Sequence, residues 1–365
     1  MKSSLTRRDF LYTCSASLAV ARIGLARPPV VASATEFQRG GMVYRRLGQT
    51  DLWPSLLSFG SHTDPSDRVP AGREGTVLTP AGQARRDRII AHAFDLGVNL
   101  LDIYADMGQW EPAARFVRGR RDKILISLAH EISAQKIDYA CSLYGHADLF
   151  RFHTPQIDDP TLRDWDVLRK AKEAGKVRVI GISTHFERTM VEALTKLEGI
   201  DYLFIPYNFI QARAGFSEFL PLAQRMGVGL IAMKPLASGS IMNLDPTARP
   251  GARPEYQYFA WQAMATKPVL NSAVAELTSA LGRLPDETLC MAAMRYVYSR
   301  DFIATAIAGM FEERLLEDNY KALANYQQMS REEHAALDSA RQVARLLDKR
   351  WLPAHYRWLE ERWGV

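Results

Sequence analysis

Apolar runs alternate with helical patterns along most of this chain. Between residues 147 and 186, the runs ADLFRFH and VRVIGIS are predicted strands, and a helix is predicted between them. Spacings of three and four predict one apolar face of that helix, made of Leu162, Trp165, Leu168 and Ala171. Gly175 follows where a left-handed residue commonly ends a helix. Two strands joined by a helix form a βαβ unit, which predicts a parallel sheet.

Eight strand-like runs are predicted in all. They are Leu56–Phe59, Gly97–Asp102, Lys123–Leu128, Ala147–His153, Val177–Ser183, Tyr202–Tyr207, Val228–Met233 and Ile303–Ile307. Helical patterns separate them, for example at 86–96, 187–197 and 218–226. Eight strands alternating with helices predict a closed (β/α)₈ barrel over residues 42–325, preceded by a short hairpin.

Three segments do not follow the alternation. Pro65–Gln83 is rich in proline and glycine and is predicted to be a loop. Met242–Asn271 is a long connection after the seventh strand, and it is either a cover over a site or an insertion without a role. Residues 326–365 are predicted to form a helix at 332–347 and an aromatic tail that packs outside the barrel.

Residues 1–34 have the pattern of a targeting segment. Thr6–Leu11 resembles the twin-arginine export signal, the apolar run Phe10–Ala21 follows, and Ala32–Ala34 offers small residues for cleavage. Arg22 ends the apolar run before it reaches the length of a membrane span. We expect export to the periplasm by the twin-arginine machinery, with no stable membrane anchor; the alternative is an amphipathic N-terminus.

Charge and cysteine content exclude some classes of partner. The net charge of the 365-residue chain is +5, and most of it lies in residues 1–34. The remainder has no basic stretch or motif that favours nucleic acid. Cys141 and Cys290 lack the spacing of metal ligands and are interpreted as buried free thiols rather than a disulfide pair.

Polar side chains cluster at the predicted carboxyl ends of the strands. These residues are His62, Asp102, His130, Glu131, His153, Ser183, His185, Asn208 and Lys234. Four of the eight histidines of the chain are among them. Because these strand ends meet at one mouth of a (β/α)₈ barrel, they predict a site for a small-molecule substrate.

Seven segments carry a resemblance to the aldo/keto reductase family. They are YRRLGQTDLWPSLLSFG, AFDLGVNLLDIYADMGQWE, DLFRFHTPQ, EAGKVRVIGISTHF, DYLFIPYN, LIAMKPLASG and ATAIAGMFEERLLEDN, in the family's order. The resemblance implies carbonyl reduction with a nicotinamide cofactor and an Asp, Tyr, Lys and His tetrad. In that chemistry the tyrosine protonates the carbonyl oxygen, the paired lysine and aspartate lower its pKa, and the histidine orients the substrate. Asp102 and His153 match the family aspartate and histidine.

The other two members of the tetrad are replaced. Gly108 and Glu111 set a register that places Met107 at the tyrosine position. The lysine position falls at Ala129, or at Leu128 if the register slips by one. A methionine donates no proton, and without the lysine Asp102 is expected to lack its counter-ion. The residues that can substitute are Tyr104, which shares strand parity with Asp102, together with His130 and Lys234.

The resemblance also implies a set of cofactor contacts. These are Ser183, Thr184, Tyr207, Lys234, Arg314 and Asn319. Phe204 and Met233 depart from the family, which has a glutamine and a ring-stacking aromatic residue there. Glu312 and Glu313 are acidic where the 2′-phosphate of NADP is usually held, so NADP and NAD both remain open.

Two alternatives to a reductase are retained. One is a metal site, Zn²⁺ or Mn²⁺, with ligands drawn from His62, His130, Glu131, His153 and His185. No HxH or HExxH pair supports it. The other is a barrel that binds a ligand without redox chemistry. The sequence does not name a substrate.

Overall fold

The computed structural model describes residues 35–71, 75–104, 108–209, 218–236, 280–327, 329–333 and 335. The strands are β1 (Glu36–Arg39), β2 (Met42–Arg45), β3 (Leu57–Phe59), β4 (Arg68–Pro70), β5 (Thr76–Leu78), β6 (Leu100–Tyr104), β7 (Leu125–Ala129), β8 (Ala147–His153), β9 (Val177–Ser183), β10 (Tyr202–Pro206), β11 (Gly229–Met233) and β12 (Ile303–Ala308). The helices are α1 (Pro80–Asp95), α2 (Trp110–Val117), α3 (Ala134–Tyr144), α4 (Asp159–Glu173), α5 (Glu187–Lys196), α6 (Phe219–Met226), α7 (Leu289–Tyr298) and α8 (Glu313–Lys321).

Eight parallel strands close into a barrel in the order β10-β11-β12-β3-β6-β7-β8-β9. The predicted (β/α)₈ fold is therefore confirmed, and β8 and β9 have the predicted bounds. The strands are almost entirely buried because helices cover the outside and side chains fill the inside.

Helix α4 shows why the βαβ unit forms where the pattern predicted it. The Asp158 side chain caps the helix by accepting a hydrogen bond from the Thr161 amide at 3.0 Å. Trp165, Leu168 and Ala171 are buried as predicted, but Leu162 is 39% exposed, so its assignment to the apolar face was wrong. The buried face starts at Thr161 instead. Gly175 has a φ of 73°, in agreement with the predicted helix end.

The segment between β2 and β3 closes the amino-terminal end of the barrel, which we call the floor. Leu47 and Leu52 pack in one buried cluster with Leu100 and Leu149 of the strands. Gly48 has a φ of 56°, and a Cβ atom there would lie 2.3 Å from a backbone carbonyl oxygen. Only glycine fits this position without displacing backbone.

Arg45 fastens the floor to the last strand of the barrel. Its Nη1 donates to the carbonyl oxygens of Arg300 at 2.7 Å and Ile303 at 3.1 Å, and its Nε donates to Glu36 at 2.7 Å. Arg45 is buried, so these charge-assisted hydrogen bonds connect the start and the end of the barrel in a low-dielectric setting.

The segment Pro65–Gln83 is not a loop, which corrects the prediction. It contains a 3₁₀ turn at Pro65–Asp67, the antiparallel hairpin β4–β5 and the first turn of α1. The helix starts at Pro80, and Thr79 caps it through a 3.1 Å hydrogen bond from the Gly82 amide. The hairpin strands have three residues each, too few for a periodic pattern to be visible in the sequence.

Several predictions fall on residues that the structure does not describe. They are residues 1–34, Met107, the connection Met242–Asn271 and residues 336–365. Within the described part of the chain, no helix is long and apolar enough to cross a membrane. Cys141 and Cys290 are both half-buried and form no disulfide.

Candidate active site

Strands β6 and β8 place four polar side chains on the inside of the barrel near its carboxyl end, which we call the mouth. Side chains two residues apart on a strand point to the same face. Asp102 and Tyr104 therefore share the inner face of β6, and Arg151 and His153 share that of β8. Strand β7, between them, contributes Ser127.

Asp102 and Arg151 form a buried ion pair. Arg151 Nη1 and Nη2 donate to Asp102 Oδ1 and Oδ2 at 2.6 and 2.9 Å, and the two residues are 0% and 1% exposed. Ser127 Oγ donates to Asp102 Oδ1 at 2.7 Å and accepts from Arg151 Nη1 at 2.9 Å. Burial alone would lower the pKa of Arg151, but the Asp102 charge outweighs it and the pKa is raised. The guanidinium group is therefore permanently charged.

Aromatic rings enclose the guanidinium group. Its Cζ atom lies 3.9 Å from the centroid of the Phe204 ring and 5.1 Å from that of the Tyr104 ring. Both distances are within the range of cation–π attraction. Phe204, which departs from the family pattern, thus provides one wall for the buried cation.

Ser61 connects the ion pair to Tyr104 through the backbone. Its Oγ donates to the Asp102 carbonyl oxygen at 2.7 Å and accepts from the Tyr104 amide at 2.9 Å. The end of β6 is thereby held in place by a buried side chain from the loop after β3. This fixes the Tyr104 ring next to the guanidinium group.

The expectation that Asp102 lacks a counter-ion was wrong. Ala129, which the resemblance aligns with a lysine, pairs in register with Tyr104 and Arg151 on the neighbouring strands. The cation comes from Arg151 instead, a residue that the sequence analysis did not consider. Its signal was available, because an arginine inside a buried strand with the parity of His153 requires a partner inside the barrel.

His153 lies at the exposed end of β8 beside two other polar side chains. Its Nδ1 is 3.4 Å from Ser183 Oγ, and its ring meets the His185 ring edge-on with centroids 5.1 Å apart. Desolvation lowers the pKa of His153, and the charges of Lys234 and Arg151 lower it further. The imidazole is therefore neutral at neutral pH.

Lys234 follows β11 at the mouth in a left-handed backbone conformation. Its φ is 56°, and its carbonyl oxygen accepts a 3.1 Å hydrogen bond from Asn208 Nδ2. A residue other than glycine in this conformation is uncommon and often marks a functional position. Burial lowers the pKa of Lys234 to about 8, so it is charged at neutral pH and titrates just above.

His62 joins the mouth from the end of β3. Its ring centroid lies 6.4 Å from that of Tyr104. Desolvation lowers its pKa to about 4, and the charges of Arg68 and Lys234 contribute to the decrease. His62 is thus a second neutral imidazole beside Tyr104.

Three predicted site residues are not brought to the ion pair. His130 packs its ring on Trp110, with centroids 5.6 Å apart. Thr184 is fully buried, and its Oγ1 accepts from the Phe186 amide within a turn. Tyr207 stacks on Tyr296 of α7, which covers the outside of the barrel, with centroids 6.0 Å apart.

Ser183 and Asn319 have the properties that a nicotinamide cofactor needs. Ser183 is buried and places its hydroxyl next to His153. Asn319 is 1% exposed, and its Nδ2 has no hydrogen-bond partner in the described structure. A buried amide donor without an acceptor is costly, and it suits a bound heterocycle or phosphate. Arg314, by contrast, pairs with Asp318 at 3.4 Å.

The metal alternative receives no support from the described residues. Among them, no three histidine, cysteine, aspartate or glutamate side chains lie close enough together to bind one ion. His153 and His185 are neighbours, but the structure brings no carboxylate to them as a third ligand.

The arrangement is suited to stabilising negative charge on an oxygen atom. A tyrosine ring lies over a permanently charged, buried guanidinium group, the His62 ring centroid is 6.4 Å from that of Tyr104, and His153 follows Arg151 by two residues on β8. Fixed donors and cations in a desolvated mouth stabilise a developing alkoxide without reorganising.

Comparisons with known proteins agree with this geometry. The model of the aldo/keto reductase family matches residues 141–342, more than half of the chain. A probable voltage-gated potassium channel subunit beta of Arabidopsis thaliana is 25% identical, covering 77% of this chain and 91% of its own. L-Glyceraldehyde 3-phosphate reductase of Escherichia coli is also 25% identical, covering 78% and 89%. L-Galactose dehydrogenase of A. thaliana is 21% identical, covering 78% and 89%.

Solved structures show the same fold. The apo form of aldo-keto reductase AKR11C1 from Bacillus halodurans superimposes with a TM-score of 0.61 at 22% identity, covering 81% of this chain and 95% of that one. Its holo form gives the same TM-score at 21% identity. The family match, which extends over more than half of the residues, decides the assignment: this chain belongs to the aldo/keto reductase family.

Proposed function

We propose that this protein is an oxidoreductase that interconverts a carbonyl compound and its alcohol with a nicotinamide cofactor. The family is one of oxidoreductases that use such cofactors. The observation that carries the proposal for this chain is the buried Asp102–Arg151 pair under the Tyr104 ring. It supplies the permanent positive charge that the resemblance assigns to a lysine.

In this proposal Tyr104 is the proton donor. During carbonyl reduction its hydroxyl gives a proton to the carbonyl oxygen, which leaves a phenolate next to the guanidinium group of Arg151. Arg151 stabilises that phenolate, and Asp102 holds Arg151 in place through two hydrogen bonds. His153, neutral at the mouth, donates an N–H to the same oxygen and orients the substrate.

The bound cofactor supplies the hydride in reduction and accepts it in oxidation. In this proposal Ser183, whose hydroxyl lies beside His153, binds the carboxamide of the nicotinamide, and the buried Asn319 amide donates to the adenine end. Arg314 is paired with Asp318 and preceded by Glu312 and Glu313, so the described residues at this place offer a 2′-phosphate more negative than positive charge. We therefore propose NAD rather than NADP.

The test compares Tyr104→Phe with the unaltered full chain. The variant should lose about 10²- to 10⁴-fold in kcat for aldehyde reduction, the usual contribution of a proton donor, and keep its Kd for NADH. Tyr139→Phe is the matched control, because Tyr139 is a partly exposed tyrosine of α3 whose hydroxyl contacts Glu111.

Two results would contradict the proposal. If NADH binds and quenches the tryptophan fluorescence but none of the aldehydes tested leads to NADH oxidation, the protein is a ligand-binding barrel. If Tyr104→Phe keeps the full rate, the proton comes from another residue.

We also propose that the protein is exported in folded form. The support is the segment Thr6–Leu11 and the apolar run behind it. Replacing Arg7 and Arg8 with lysine should retain the protein in the cytoplasm, as judged by fractionation. A control with Arg22→Lys should still be exported. Equal export of the unaltered chain, the variant at Arg7 and Arg8, and Arg22→Lys would contradict the interpretation of Thr6–Leu11 as an export signal.

A further inference from the structure

Three neighbouring strands place Arg151, Gly181 and Tyr202 in one layer of the barrel. Arg151 of β8 pairs in register with Gly181 of β9, and Gly181 pairs in register with Tyr202 of β10. Tyr202 lies two residues before Phe204, whose ring contacts the Arg151 guanidinium group, and both rings belong to the buried cluster that contains Leu149 of β8. The layer therefore brings an arginine and a tyrosine together with a glycine between them.

The absence of a side chain at Gly181 leaves room for the Tyr202 ring. A Cβ atom at Gly181 would lie 2.8 Å from both Cδ1 and Cε1 of Tyr202. One edge of the ring therefore lies over Gly181, and the ring extends from β10 across β9 toward β8. A glycine inside a strand often marks such a close approach.

Two buried polar atoms of this layer have no hydrogen-bond partner among the described residues. They are Arg151 Nε and the Tyr202 hydroxyl, and both residues are 0% exposed. The two Nη atoms of Arg151 already donate to Asp102. A buried donor and a buried hydroxyl each cost free energy unless they are paired. A phenol oxygen can accept from Nε–H, so each atom supplies what the other lacks.

The charges around Arg151 agree with this geometry. Strands β6 and β10 lie on opposite sides of β8 in the barrel, so Asp102 and Tyr202 approach the guanidinium group from different sides. Burial raises the pKa of Tyr202, and the Arg151 charge opposes part of that increase. The other titratable groups that face Arg151 are Tyr104 of β6 and His153 of β8. Of the described groups that influence Arg151, Tyr202 is the one that reaches it across β9.

We propose that Tyr202 is a positioning residue of the reaction. Its hydroxyl pairs with Arg151 Nε, directly or through one ordered water, and so fixes the plane of the guanidinium group under the Tyr104 ring. Asp102 fixes one edge of the group, and this pairing fixes the other. The inference rests on the proposed carbonyl chemistry, in which Arg151 stabilises the Tyr104 phenolate. A charge that is held in place stabilises the phenolate without reorganising.

The first experiment measures the pairing without turnover. Tyr202→Phe keeps the ring and removes the hydroxyl, and urea unfolding gives its effect on the folding equilibrium constant. In the unaltered chain the constant should fall by about 10- to 100-fold, as expected for a lost hydrogen bond to a charged group. In the background Asp102→Asn plus Arg151→Met, which has no buried charge, it should change by less than about threefold.

Tyr144→Phe is the matched control for both experiments. Tyr144 of α3 is also a buried tyrosine, and its hydroxyl donates to the carbonyl oxygen of Trp110 at 2.5 Å, away from Arg151. Its loss should lower the folding equilibrium constant equally in the two backgrounds, because the contact does not depend on Arg151.

The second experiment asks whether the pairing matters for the reaction. The pH profile of kcat for glyceraldehyde reduction is measured in the full chain with NADH. Tyr202→Phe should move the loss of activity at high pH upward by about 0.5–1 pH unit and lower kcat at neutral pH by about 3- to 10-fold, because a less ordered guanidinium group favours the phenolate less. The Kd of NADH should not change. Tyr144→Phe should leave the profile where it is.

The results separate this inference from the proposed reaction. If Tyr202→Phe lowers stability equally in the two backgrounds, the hydroxyl does not pair with Arg151 and the inference fails. If the pairing is present but the pH profile keeps its position, Tyr202 is structural only and the inference also fails. If the unaltered chain reduces no aldehyde, the proposed reaction fails, and Tyr202 then loses its role in the reaction but not its pairing with Arg151.

Discussion

Removing the guanidinium group of Arg151 is the most direct test of the site. In Arg151→Met, Asp102 loses two hydrogen bonds of 2.6 and 2.9 Å and keeps its charge inside the barrel. Both residues are at most 1% exposed, so water does not replace the lost partner. Breaking a buried ion pair from one side costs about 3–5 kcal/mol in the free energy of unfolding.

The double variant separates lost pairing from lost packing. Adding Asp102→Asn to Arg151→Met removes the stranded charge, and Ser127 can still donate to the amide oxygen. The double variant should therefore be more stable than the sum of the two single changes predicts, by about 2 kcal/mol or more. Urea unfolding followed by tryptophan fluorescence measures all four free energies.

A surface ion pair is the control. Arg169 of α4 contacts Asp166 and Glu173 at 3.0 and 3.3 Å, but all three side chains are exposed to water. Arg169→Met should leave the unfolding midpoint unchanged because solvent screens such pairs. The reasoning is refuted if Arg151→Met unfolds at the same midpoint as Arg169→Met, or if the energies of Asp102→Asn and Arg151→Met simply add.

Three further predictions concern charge, cofactor and backbone. Burial lowers the pKa of Lys234 to about 8. Between about pH 8 and 10.5 the Lys234 amine is therefore protonated in the unfolded state but largely neutral in the folded state. Its contribution to the free energy of unfolding should rise with pH in that window, which urea unfolding at several pH values measures. NADH should bind with a lower Kd than NADPH. Asp318→Asn should bring the two Kd values closer, because it releases Arg314 from its ion pair for the 2′-phosphate. Equal Kd values for NADH and NADPH in the unaltered chain would refute the preference for NAD. Gly48→Ala should lower the free energy of unfolding by about 2–4 kcal/mol, because it combines an unfavourable φ with a clash against backbone. In the control Gly119→Ala the new Cβ has open space, so the free energy of unfolding should fall by only about 1 kcal/mol. Equal losses in the two variants would mean that the clash at Gly48 relaxes.

The fold was predictable because the strands of a covered parallel barrel are continuous apolar runs. Val177–Ser183 is buried along almost its whole length, and it stands out in the sequence for that reason. The hairpin β4–β5 was not predictable. Val69 and Val77 are exposed there and pair across two short strands, so neither burial nor length leaves a pattern.

The site was predictable only in part. Asp102 and His153 were predicted as site residues because each interrupts an apolar run with a polar side chain, and the structure places both inside the barrel strands β6 and β8. Arg151 lies inside the run ADLFRFH, where apolar neighbours on both sides concealed it. The resemblance implies a cation at the position of Ala129, one strand away. Which cation pairs with Asp102 depends on which side chains are neighbours inside the barrel, and this is not visible from position along one strand.

The hydrogen bonds of Arg45 have a consequence for the order of folding. Its carbonyl acceptors lie 255 and 258 residues further along the chain, just before the last strand of the barrel and at its first residue. During synthesis the ribosome releases Arg45 long before those acceptors exist, so the floor stays open until nearly the whole barrel has been made. Contacts between residues so far apart in sequence form slowly. Until they form, the nascent chain exposes unpaired strand edges that can associate with other chains. Chaperone dependence during translation is therefore expected to last until the end of the barrel, which brings the acceptors of Arg45, has been synthesised.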